Sequence, residues 1–336
     1  MEKTKVATIG LGGIAQLVHL PNLRKLNNVE LVSVADINRS RLNTIADKFK
    51  VAERYTDYNE LLAKSDVEAV IIATPTNTHK EIALACVKAK KDILVEKPFT
   101  RTLAEAKPVV EAARKNKCKI MVGFNLRFRP DAMLLKTLIN SGEIGDPIYV
   151  KANWVRRQSS KEKWFTKKTE SGGGVIIDLG ILLLDLSLWL LNYPSVSTVS
   201  TQNYNTSTKS VEDTSVSFLR CKNSSIISLE SSWSLPLDKD TFNVTVFGSK
   251  GSAALSPFKV VKNIDDKFIE LSPPKAESAQ TLFQKSYSNE LKSFFGAVRG
   301  VNPVMSSGEE VLVRMKIVES MYKSAKQNSE VKISSK

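Results

Sequence analysis

A glycine-rich loop between an apolar run and a helical pattern constrains this chain more than any other feature. The run covers residues 6–9, and the loop after it reads Gly10-Leu11-Gly12-Gly13-Ile14-Ala15. Glycine permits a tight strand-to-helix turn and lets bare backbone approach a ligand, while the N-terminus of the next helix offers unpaired N–H groups to an anion. The pattern predicts the first crossover of a doubly wound α/β domain, with a dinucleotide pyrophosphate cradled by Gly10, Gly12, Gly13, Ile14 and Ala15.

A carboxylate stands where such a domain contacts the adenosine ribose. A second apolar run, residues 29–35, ends in Asp36, about 20 residues beyond the loop. A carboxylate there accepts hydrogen bonds from the ribose hydroxyls and repels a 2′-phosphate, so we expect NAD as the cofactor. Arg39 and Arg41 lie close enough to weaken that preference, and NADP stays the alternative.

The two parts of the chain differ in their hydrophobic pattern. Up to residue 123, apolar runs alternate with amphipathic helices, which is typical of a parallel sheet with right-handed crossovers. The runs cover residues 6–9, 29–35, 69–73, 93–95 and 120–122. Beyond Gly123, Ser/Thr-rich alternating segments indicate a largely antiparallel sheet. We predict a Rossmann domain over residues 1–123 and an α/β domain with an open, mostly antiparallel sheet over residues 124–336.

The later segments and the helix boundaries also follow from local patterns. Strands are predicted at residues 148–155, 196–204, 214–221, 225–233 and 242–247, and helices at 131–141, 175–191, 282–299 and 307–326. Ser40 opens one helix of the first domain, and Thr102 with Glu105 forms a capping box for another. Pro108 lies inside that second helix, so we expect it to bend the helix or to delay its start to about residue 107.

Composition limits the compartment and the class of protein. A chain of 336 residues, 42% of them hydrophobic, can form two domain cores. Its three cysteines are far apart, which predicts neither a disulfide framework nor a metal site and favours a reducing cytoplasm. We find no apolar leader at the N-terminus and therefore expect a cytoplasmic protein. Residues 175–191 are apolar, but Asp178 and Asp185 interrupt them and predict a buried helix rather than a membrane span.

The net charge of +14 does not indicate a nucleic acid partner, because the basic residues are spread along the chain without interleaved aromatic residues. Residues 151–168 are a local exception, with seven Lys and Arg against one acid. If this segment borders a pocket, the substrate is a small anionic molecule.

Polar residues follow two of the predicted parallel strands, where enzymes of this architecture gather their ligands. Residues 74–79 follow the run at 69–73, and Glu96-Lys97-Pro98 follows the run at 93–95. A lysine at such a strand end can hydrogen-bond a substrate hydroxyl and exchange its proton as a hydride moves. Pro98 excludes the helical conformation at Lys97 and so restricts where that side chain points.

These elements together resemble the glucose-fructose oxidoreductase / inositol dehydrogenase (Gfo/Idh/MocA) family. The resemblance spans the chain and is carried by the glycine loop, by the Thr74-Pro75-x-Asn77-x-His79 element, by Glu96-Lys97-Pro98, and by the GFNLRF segment at residues 123–128. It implies an NAD(P)-dependent oxidoreductase that moves a hydride between nicotinamide and a hydroxyl or keto carbon of a sugar, polyol or sugar-nucleotide-like substrate.

The resemblance also implies roles for individual residues. Lys97 would be the catalytic lysine, with Asp178 beside it. The cofactor would contact Thr74, Pro75, His79, Glu96 and Asn125 in addition to the glycine loop and Asp36. The substrate would contact Lys97, Arg127, Asp178, Leu182 and Asp185. No metal is expected, and the open face of the second sheet would pair subunits into a homodimer or homotetramer.

The chain departs from the family pattern at one key position. Family members carry Asp-x-Gly-x-His-x-x-Asp in the apolar helix, and here Leu182 stands at the histidine position. The chain has two histidines, His19 and His79, and both lie in the first domain. In family members that imidazole shares proton transfer with the lysine or holds the reacting oxygen, which a leucine cannot do.

Three hypotheses follow from this departure. Lys97 alone transfers the proton, helped by Asp178 or a water molecule. Alternatively, another residue replaces the histidine, such as Tyr193 or a lysine of residues 161–168. In the third hypothesis catalysis is lost, and the chain is a nicotinamide-binding sensor or regulator. The presence of Lys97 and of both helix aspartates favours an enzyme, because unpaired buried carboxylates are costly.

Overall fold

In the computed structural model of the protein, residues 2–158, 160–265, 267–272 and 277–334 are described. The chain divides into two compact units. The first comprises Met1–Asn125 with Gln284–Leu312, and the second comprises Leu126–Phe283 with Val313–Lys336. The boundaries at residues 123 and 124 stay a prediction.

The first unit is built on a parallel sheet that, in the described residues, has six strands. They are β1 (Thr4–Ile9), β2 (Val29–Ala35), β3 (Glu53–Tyr55), β4 (Ala69–Ile72), β5 (Asp92–Glu96) and β6 (Ile120–Gly123), in the spatial order β3-β2-β1-β4-β5-β6. This is the Rossmann order, in which the strand order reverses between β1 and β4 while all strands stay parallel. Ligands of such sheets bind beyond the carboxyl ends of the strands at this reversal, so the ends of β1 and β4 locate the site.

Helices connect the parallel strands of the first unit. A π-helical turn (Ala15–His19) leads into α1 (Leu20–Leu23), and then come α2 (Arg39–Phe49), α3 (Tyr58–Lys64), α4 (Thr76–Lys88) and α5 (Leu103–Asn116). Asn38 caps α2, because its side chain accepts a hydrogen bond from the Arg41 N–H at 3.0 Å. The helix therefore begins at Arg39 rather than at the predicted Ser40, and its capping side chain is that of Asn38.

Pro108 does not delay the start of α5, which begins at Leu103. The Thr102 hydroxyl accepts a hydrogen bond from the Glu105 N–H at 3.2 Å, and the Glu105 carboxylate in turn bonds the backbone and guanidinium of Arg101. These bonds fix the first turn before the proline is reached. The prediction of a start near residue 107 is wrong for that reason.

The second unit carries a mostly antiparallel sheet that has nine strands in the described part of the chain. The strands are β7 (Pro147–Val155), β8 (Val196–Tyr204), β9 (Thr214–Cys221), β10 (Ile226–Ser232), β11 (Thr241–Gly248), β12 (Gly251–Leu255), β13 (Lys259–Ile264), β14 (Lys267–Glu270) and β15 (Val331–Lys332). Their order is β14-β13-β12-β11-β7-β10-β9-β8-β15, and β7 pairs with β10 in parallel. The open, mostly antiparallel sheet of the sequence prediction is confirmed.

Several helices accompany this sheet. They are α6 (Pro130–Asn140), α7 (Lys168–Ser171) and a π-helical turn (Ile176–Gly180) that continues into α8 (Ile181–Leu190). Of the two last helices, α9 (Ala279–Val298) belongs mostly to the first unit and α10 (Gly308–Gln327) mostly to the second. Helix α8 lies against β7 and β10. The segment Lys168–Leu190 is long and apolar enough to cross a membrane, but 94% of its most apolar window is buried inside the protein. The segment is therefore buried in the core, as we predicted from Asp178 and Asp185 in its sequence.

Candidate active site

The glycine loop leaves its backbone open at the reversal point of the first sheet. Gly10 has φ +89°, and a Cβ there would come within 2.7 Å of the Ala73 carbonyl at the end of β4. A side chain at Gly10 would therefore be both strained and in collision with backbone. A Cβ on Gly12 or Gly13 would meet nothing within 4 Å, so this part of the loop is accessible to a ligand. The arrangement fits a dinucleotide pyrophosphate.

Asp36 lies directly beyond β2 and is held by four hydrogen bonds. Its Oδ1 accepts from the Asn38 N–H at 2.8 Å and from an Arg41 terminal nitrogen at 2.7 Å. Its Oδ2 accepts from the Leu11 N–H and from the Arg41 Nε, both at 2.8 Å. Burial alone would raise the pKa of Asp36, but the bonds from Arg41 and from the two backbone N–H groups outweigh it and lower that pKa. The carboxylate is therefore ionised at the position predicted for the ribose.

His79 joins the ends of two strands. Its Nδ1 lies 2.9 Å from the Pro98 carbonyl oxygen, and its Nε2 lies 2.8 Å from the Thr74 carbonyl oxygen. Burial lowers the pKa of His79, so at neutral pH the ring carries one N–H and donates it to one of these carbonyls. The peptide bond between Lys97 and Pro98 is cis. His79 thus holds the segment after β4 against the segment that carries Lys97.

Glu96 anchors Lys97 to the helix that follows the glycine loop. Its Oε1 lies 2.7 Å from His19 Nε2, and its Oε2 accepts the Lys97 backbone N–H at 3.2 Å. Burial would raise the pKa of Glu96, but the bond to His19 and the nearby positive charges lower it. His19 is fully buried, and its ring meets that of Tyr287 edge-on with centroids 6.0 Å apart. Sequence reasoning missed this pair, because 77 residues separate His19 from Glu96.

Asn125, predicted at the nicotinamide end, follows β6. Its Nδ2 donates to the Ser286 hydroxyl at 3.0 Å, and both residues belong to the first unit. The structure therefore gathers at the carboxyl ends of the parallel strands the first-unit residues of the predicted site: the glycine loop, Asp36, Thr74, Pro75, His79, Glu96, Lys97 and Asn125. Ser286 is an addition that no local motif signals.

In the second unit, Asp178 lies in the π-helical turn ahead of α8 and is 3% exposed. Its Oδ2 accepts a hydrogen bond from Trp233 Nε1 at 3.0 Å. The Trp233 ring packs at 5.5 Å against Phe165, which packs at 5.5 Å against Trp164. These three half-buried rings form an aromatic cluster beside the carboxylate. π-Helical turns occur frequently at functional sites.

Glu212 fixes the start of this helical segment. Its Oε1 accepts the backbone N–H groups of Gly174 and Ile176 at 2.9 and 3.1 Å and the Tyr322 hydroxyl at 2.8 Å. A Cβ on Gly174 would collide with the Glu212 backbone, so glycine is required there. Burial raises the pKa of Glu212 despite these bonds. The carboxyl group thus satisfies the helix N–H groups that precede Asp178.

Arg127 and Asp185 form a buried ion cluster. The Arg127 Nε and a terminal nitrogen bond the two Asp185 oxygens at 2.7 and 2.6 Å, and Arg314 lies 2.7 Å from the same carboxylate. The Tyr193 hydroxyl accepts hydrogen bonds from both arginines. The Arg127 and Asp185 side chains are 1% and 0% exposed. Their predicted contact with substrate stays a prediction.

Leu182 lies in α8 between the two aspartates and is 4% exposed. Its surroundings in the helix are apolar, with Ile181, Leu183 and Leu184 all buried. The structure therefore places a hydrocarbon side chain at the position where the family resemblance predicts a histidine.

Comparison with known proteins agrees with this architecture. Residues 4–124 match the family described as "Oxidoreductase family, NAD-binding Rossmann fold", and residues 133–254 match the "GFO/IDH/MocA C-terminal domain". Together these regions cover more than half of the chain. The chain belongs to the Gfo/Idh/MocA family. It is an oxidoreductase of the sugar and polyol dehydrogenase type, and its first domain is the NAD-binding Rossmann fold of that family.

Individual relatives extend over nearly the whole chain. The D-glucoside 3-dehydrogenase of Escherichia coli (strain K12) is 26% identical, with 98% of this chain and 97% of the relative aligned. The myo-inositol 2-dehydrogenase of Thermotoga maritima is also 26% identical, with 98% of both chains aligned. A crystal structure of an oxidoreductase from Agrobacterium radiobacter with NAD+, L-tartaric acid and magnesium superposes with a TM-score of 0.88 at 22% identity over 98% of each chain. This last likeness concerns the fold.

Proposed function

We propose that this Gfo/Idh/MocA protein oxidises or reduces a CH–OH carbon of a sugar or polyol, with Lys97 as the group that exchanges the substrate proton. NAD, when bound, supplies the hydride acceptor. The observation that carries the proposal is the support of Lys97: the carboxylate of Glu96 bonds its backbone, and His79 bonds the carbonyl of the next residue. A lysine restrained on both sides at a strand end can present its ammonium group reproducibly to a substrate oxygen.

The Glu96–His19 pair supports this role by holding a buried negative charge next to Lys97. Glu96 is ionised, since the bond to His19 and the nearby positive charges lower its pKa. Removing His19 alone would leave the buried Glu96 carboxylate without that partner, which is strongly destabilising. We therefore assign Glu96 and His19 as positioning residues of the cofactor domain.

The substrate class is inferred from the second unit and from the relatives. The relatives are named for glucosides and for inositol, which present rings with several hydroxyl groups. Aromatic faces such as those of Trp164, Phe165 and Trp233 suit the apolar face of such a ring, and the Asp178 carboxylate can accept hydroxyl hydrogen bonds. The exposed lysines of residues 161–168 favour an anionic substituent, such as a phosphate or carboxylate.

Among the three hypotheses for the missing histidine, the geometry favours Lys97 without a histidine partner. Tyr193 is occupied by Arg127 and Arg314 in the buried ion cluster, which makes it a poor replacement. Asp178, whose Oδ2 accepts a hydrogen bond from Trp233 beside the aromatic cluster, is the better candidate to orient a substrate hydroxyl. Arg127 and Asp185 stay candidates for contact with substrate, and their buried ion pair also holds α8.

We further propose that the enzyme is a cytoplasmic homodimer or homotetramer. Cys86, Cys118 and Cys221 are free thiols, which agrees with a reducing compartment. The open face of the second sheet carries Val216, Phe218 and Phe247, which are 46%, 36% and 40% exposed. An apolar patch on a sheet face is typical of a subunit interface.

A substrate panel tests the proposed activity. Purified protein with NAD+ is assayed for NADH formation on methyl glucoside, glucose, glucose 6-phosphate, myo-inositol and scyllo-inositol. We expect turnover of at least one ring polyol, with the phosphate ester favoured over glucose by the basic segment. Tight NAD+ binding without turnover of any member would instead support the alternative that Leu182 suggests, a nicotinamide-binding sensor.

A further inference from the structure

Arg156 directly follows β7, at the end of the second sheet that also holds Asp178. Strand β7 pairs in parallel with β10 as far as Val155 and Ser232, and the Arg156 N–H donates to the Ser232 carbonyl oxygen at 3.0 Å. The next residue after β10 is Trp233, whose ring nitrogen donates to Asp178. Arg156 therefore lies at the same pair of strand ends as the aromatic cluster.

The side chain of Arg156 belongs to the helix-covered face of this sheet. Side chains alternate between the two faces along a strand, so positions 150, 152, 154 and 156 share one face. Val150 and Ala152 are buried on it, and α8 lies against β7. The Arg156 guanidinium carbon lies 5.8 Å from the centroid of the Trp154 ring, which agrees with this alternation. The next residue, Arg157, is exposed.

Arg156 carries a charge that no acid in the described part of the chain neutralises. Its side chain is half-buried, and its Nε is buried without an acceptor among the described residues. Arg129 differs from it, because its guanidinium lies over Phe242 but is paired with Asp131 at 2.6 Å. A buried donor without an acceptor is costly, so the guanidinium of Arg156 is suited to an anionic oxygen supplied by a ligand.

We propose that Arg156 binds a carboxylate on the substrate ring, so that the enzyme acts on a sugar acid of the uronate type in preference to a neutral sugar. The proposal rests on the sugar or polyol oxidoreductase function proposed above. The guanidinium donates two parallel N–H groups, which match the two oxygens of a carboxylate. Arg156 thus binds the acidic substituent, while Asp178 accepts hydrogen bonds from hydroxyl groups of the same ring.

The charges near Arg156 fit a carboxylate better than a phosphate. A phosphate ester carries about −1.5 to −2 charges at neutral pH, whereas a carboxylate carries one. Two lysines of the basic segment have other contacts: Lys167 pairs with Glu170 at 3.0 Å, and the Lys168 ammonium lies 5.7 Å from the centroid of the Tyr322 ring. One guanidinium balances a carboxylate and leaves a phosphate partly uncompensated.

A matched pair of sugars tests the proposal. Methyl β-D-glucuronide and methyl β-D-glucoside differ only at C6, which is a carboxylate in the first and a CH2OH group in the second. We measure kcat and KM for both sugars with NAD+, for the wild type, Arg156→Gln and Arg156→Lys. The wild type should favour the glucuronide at least about 10-fold in kcat/KM, since a charged hydrogen-bond pair forms only with that sugar.

The two variants should separate charge from geometry. In Arg156→Gln we expect KM for the glucuronide to rise at least about 10-fold, while kcat/KM for the glucoside stays within about 3-fold of the wild type. Arg156→Lys should lie between the wild type and Arg156→Gln, because an ammonium keeps the charge but cannot donate two parallel N–H groups.

Arg157→Gln is the matched control, because it removes the same charge from the exposed neighbour. Its KM for the glucuronide should stay within about 2-fold of the wild type. Calorimetric titration of both sugars into the protein saturated with NADH gives the same comparison without turnover. Thermal melting verifies that each variant is folded.

Three outcomes would overturn the inference. A wild type without preference for the glucuronide excludes a carboxylate site. Equal losses on both sugars in Arg156→Gln would make Arg156 a structural support of Trp154. A larger loss on glucose 6-phosphate than on the glucuronide would assign the site to phosphate. Absence of turnover on every sugar contradicts the proposed function, and the calorimetric comparison then decides the role of Arg156 separately.

Discussion

At the scale of single residues, the leucine at position 182, where the family resemblance predicts a histidine, most shapes the proposed chemistry. General acid–base groups contribute roughly 10²–10⁴-fold to a rate. If Lys97 transfers the proton alone, as proposed, a second acid–base group would raise the rate. Leu182 is buried among apolar side chains, so bulk water does not reach this position to act as an acid or a base.

Leu182→His tests that capacity. We expect kcat/KM to rise at least about 10-fold above pH 7, because a neutral imidazole can accept a proton from a substrate hydroxyl, which a leucine cannot do. The free energy of unfolding of this variant should be about 2–4 kcal/mol lower than that of the wild type, since a polar ring replaces a buried leucine. Rates come from NADH formation and stabilities from urea unfolding.

Leu183→His is the matched control, because Leu183 is fully buried in the same helix at the next position. It should lose stability to a similar degree without any gain in rate. A folded Leu182→His variant that binds NAD+ and turns over more slowly than the wild type would contradict the account of this position.

Residue identities could be predicted where a local motif specifies them, and contacts could not. The glycine loop, Asp36 and Lys97 each follow an apolar run, and the structure places them at the strand ends of the parallel sheet. The His19–Glu96 and Glu212–Tyr322 contacts join residues 77 and 110 positions apart. Nothing in one sequence pairs such residues, because their contact depends on how whole elements pack.

At the scale of elements, the strands with a strong hydrophobic pattern were predictable, and the short strands at or near the sheet edges were not. The predicted bounds 29–35, 196–204 and 214–221 are those of β2, β8 and β9. β3, β12, β13, β14 and β15 were missed. β14 has all four residues exposed and β15 has two residues, so neither buries enough apolar surface to leave an alternating pattern.

The open face of the second sheet carries the prediction at this scale. In β9, Phe218 lies on that face, with the Arg220 guanidinium 5.0 Å from its ring centroid. On β7 and β11, which pair with each other, the rings of Tyr149 and Phe247 stack with centroids 5.5 Å apart. A glutamate at position 218 would remove this apolar ring from a subunit interface and add a charge that is costly to desolvate there, even with Arg220 beside it.

Phe218→Glu should therefore convert the proposed oligomer into monomers, measured by light scattering after size-exclusion chromatography. Val301→Glu is the control, since Val301 is 79% exposed and belongs to the first unit. It should leave the molar mass unchanged. A wild type that is monomeric at micromolar concentration, or a Phe218→Glu variant with the wild-type mass, would contradict an interface on this face.

At the scale of the whole molecule, the account joins a conventional cofactor domain to an altered substrate domain. The Rossmann strand order, the open glycine loop and the family match of residues 4–124 all concern the first domain and its binding of the cofactor. The leucine at position 182 concerns only the second. Because cofactor binding and proton transfer depend on different residues, a variant can remove one and keep the other, and this separation is what the central claim predicts.

Lys97→Met tests that claim most directly, measured as kcat on the best substrate of the panel together with the dissociation constant for NAD+. We predict that kcat falls at least about 100-fold, since the proton-transfer group is lost. The NAD+ dissociation constant should stay within about 2-fold, as it should in the exposed-lysine control Lys88→Met, which keeps full activity. An unaltered kcat in folded Lys97→Met would remove Lys97 from the mechanism and contradict the account.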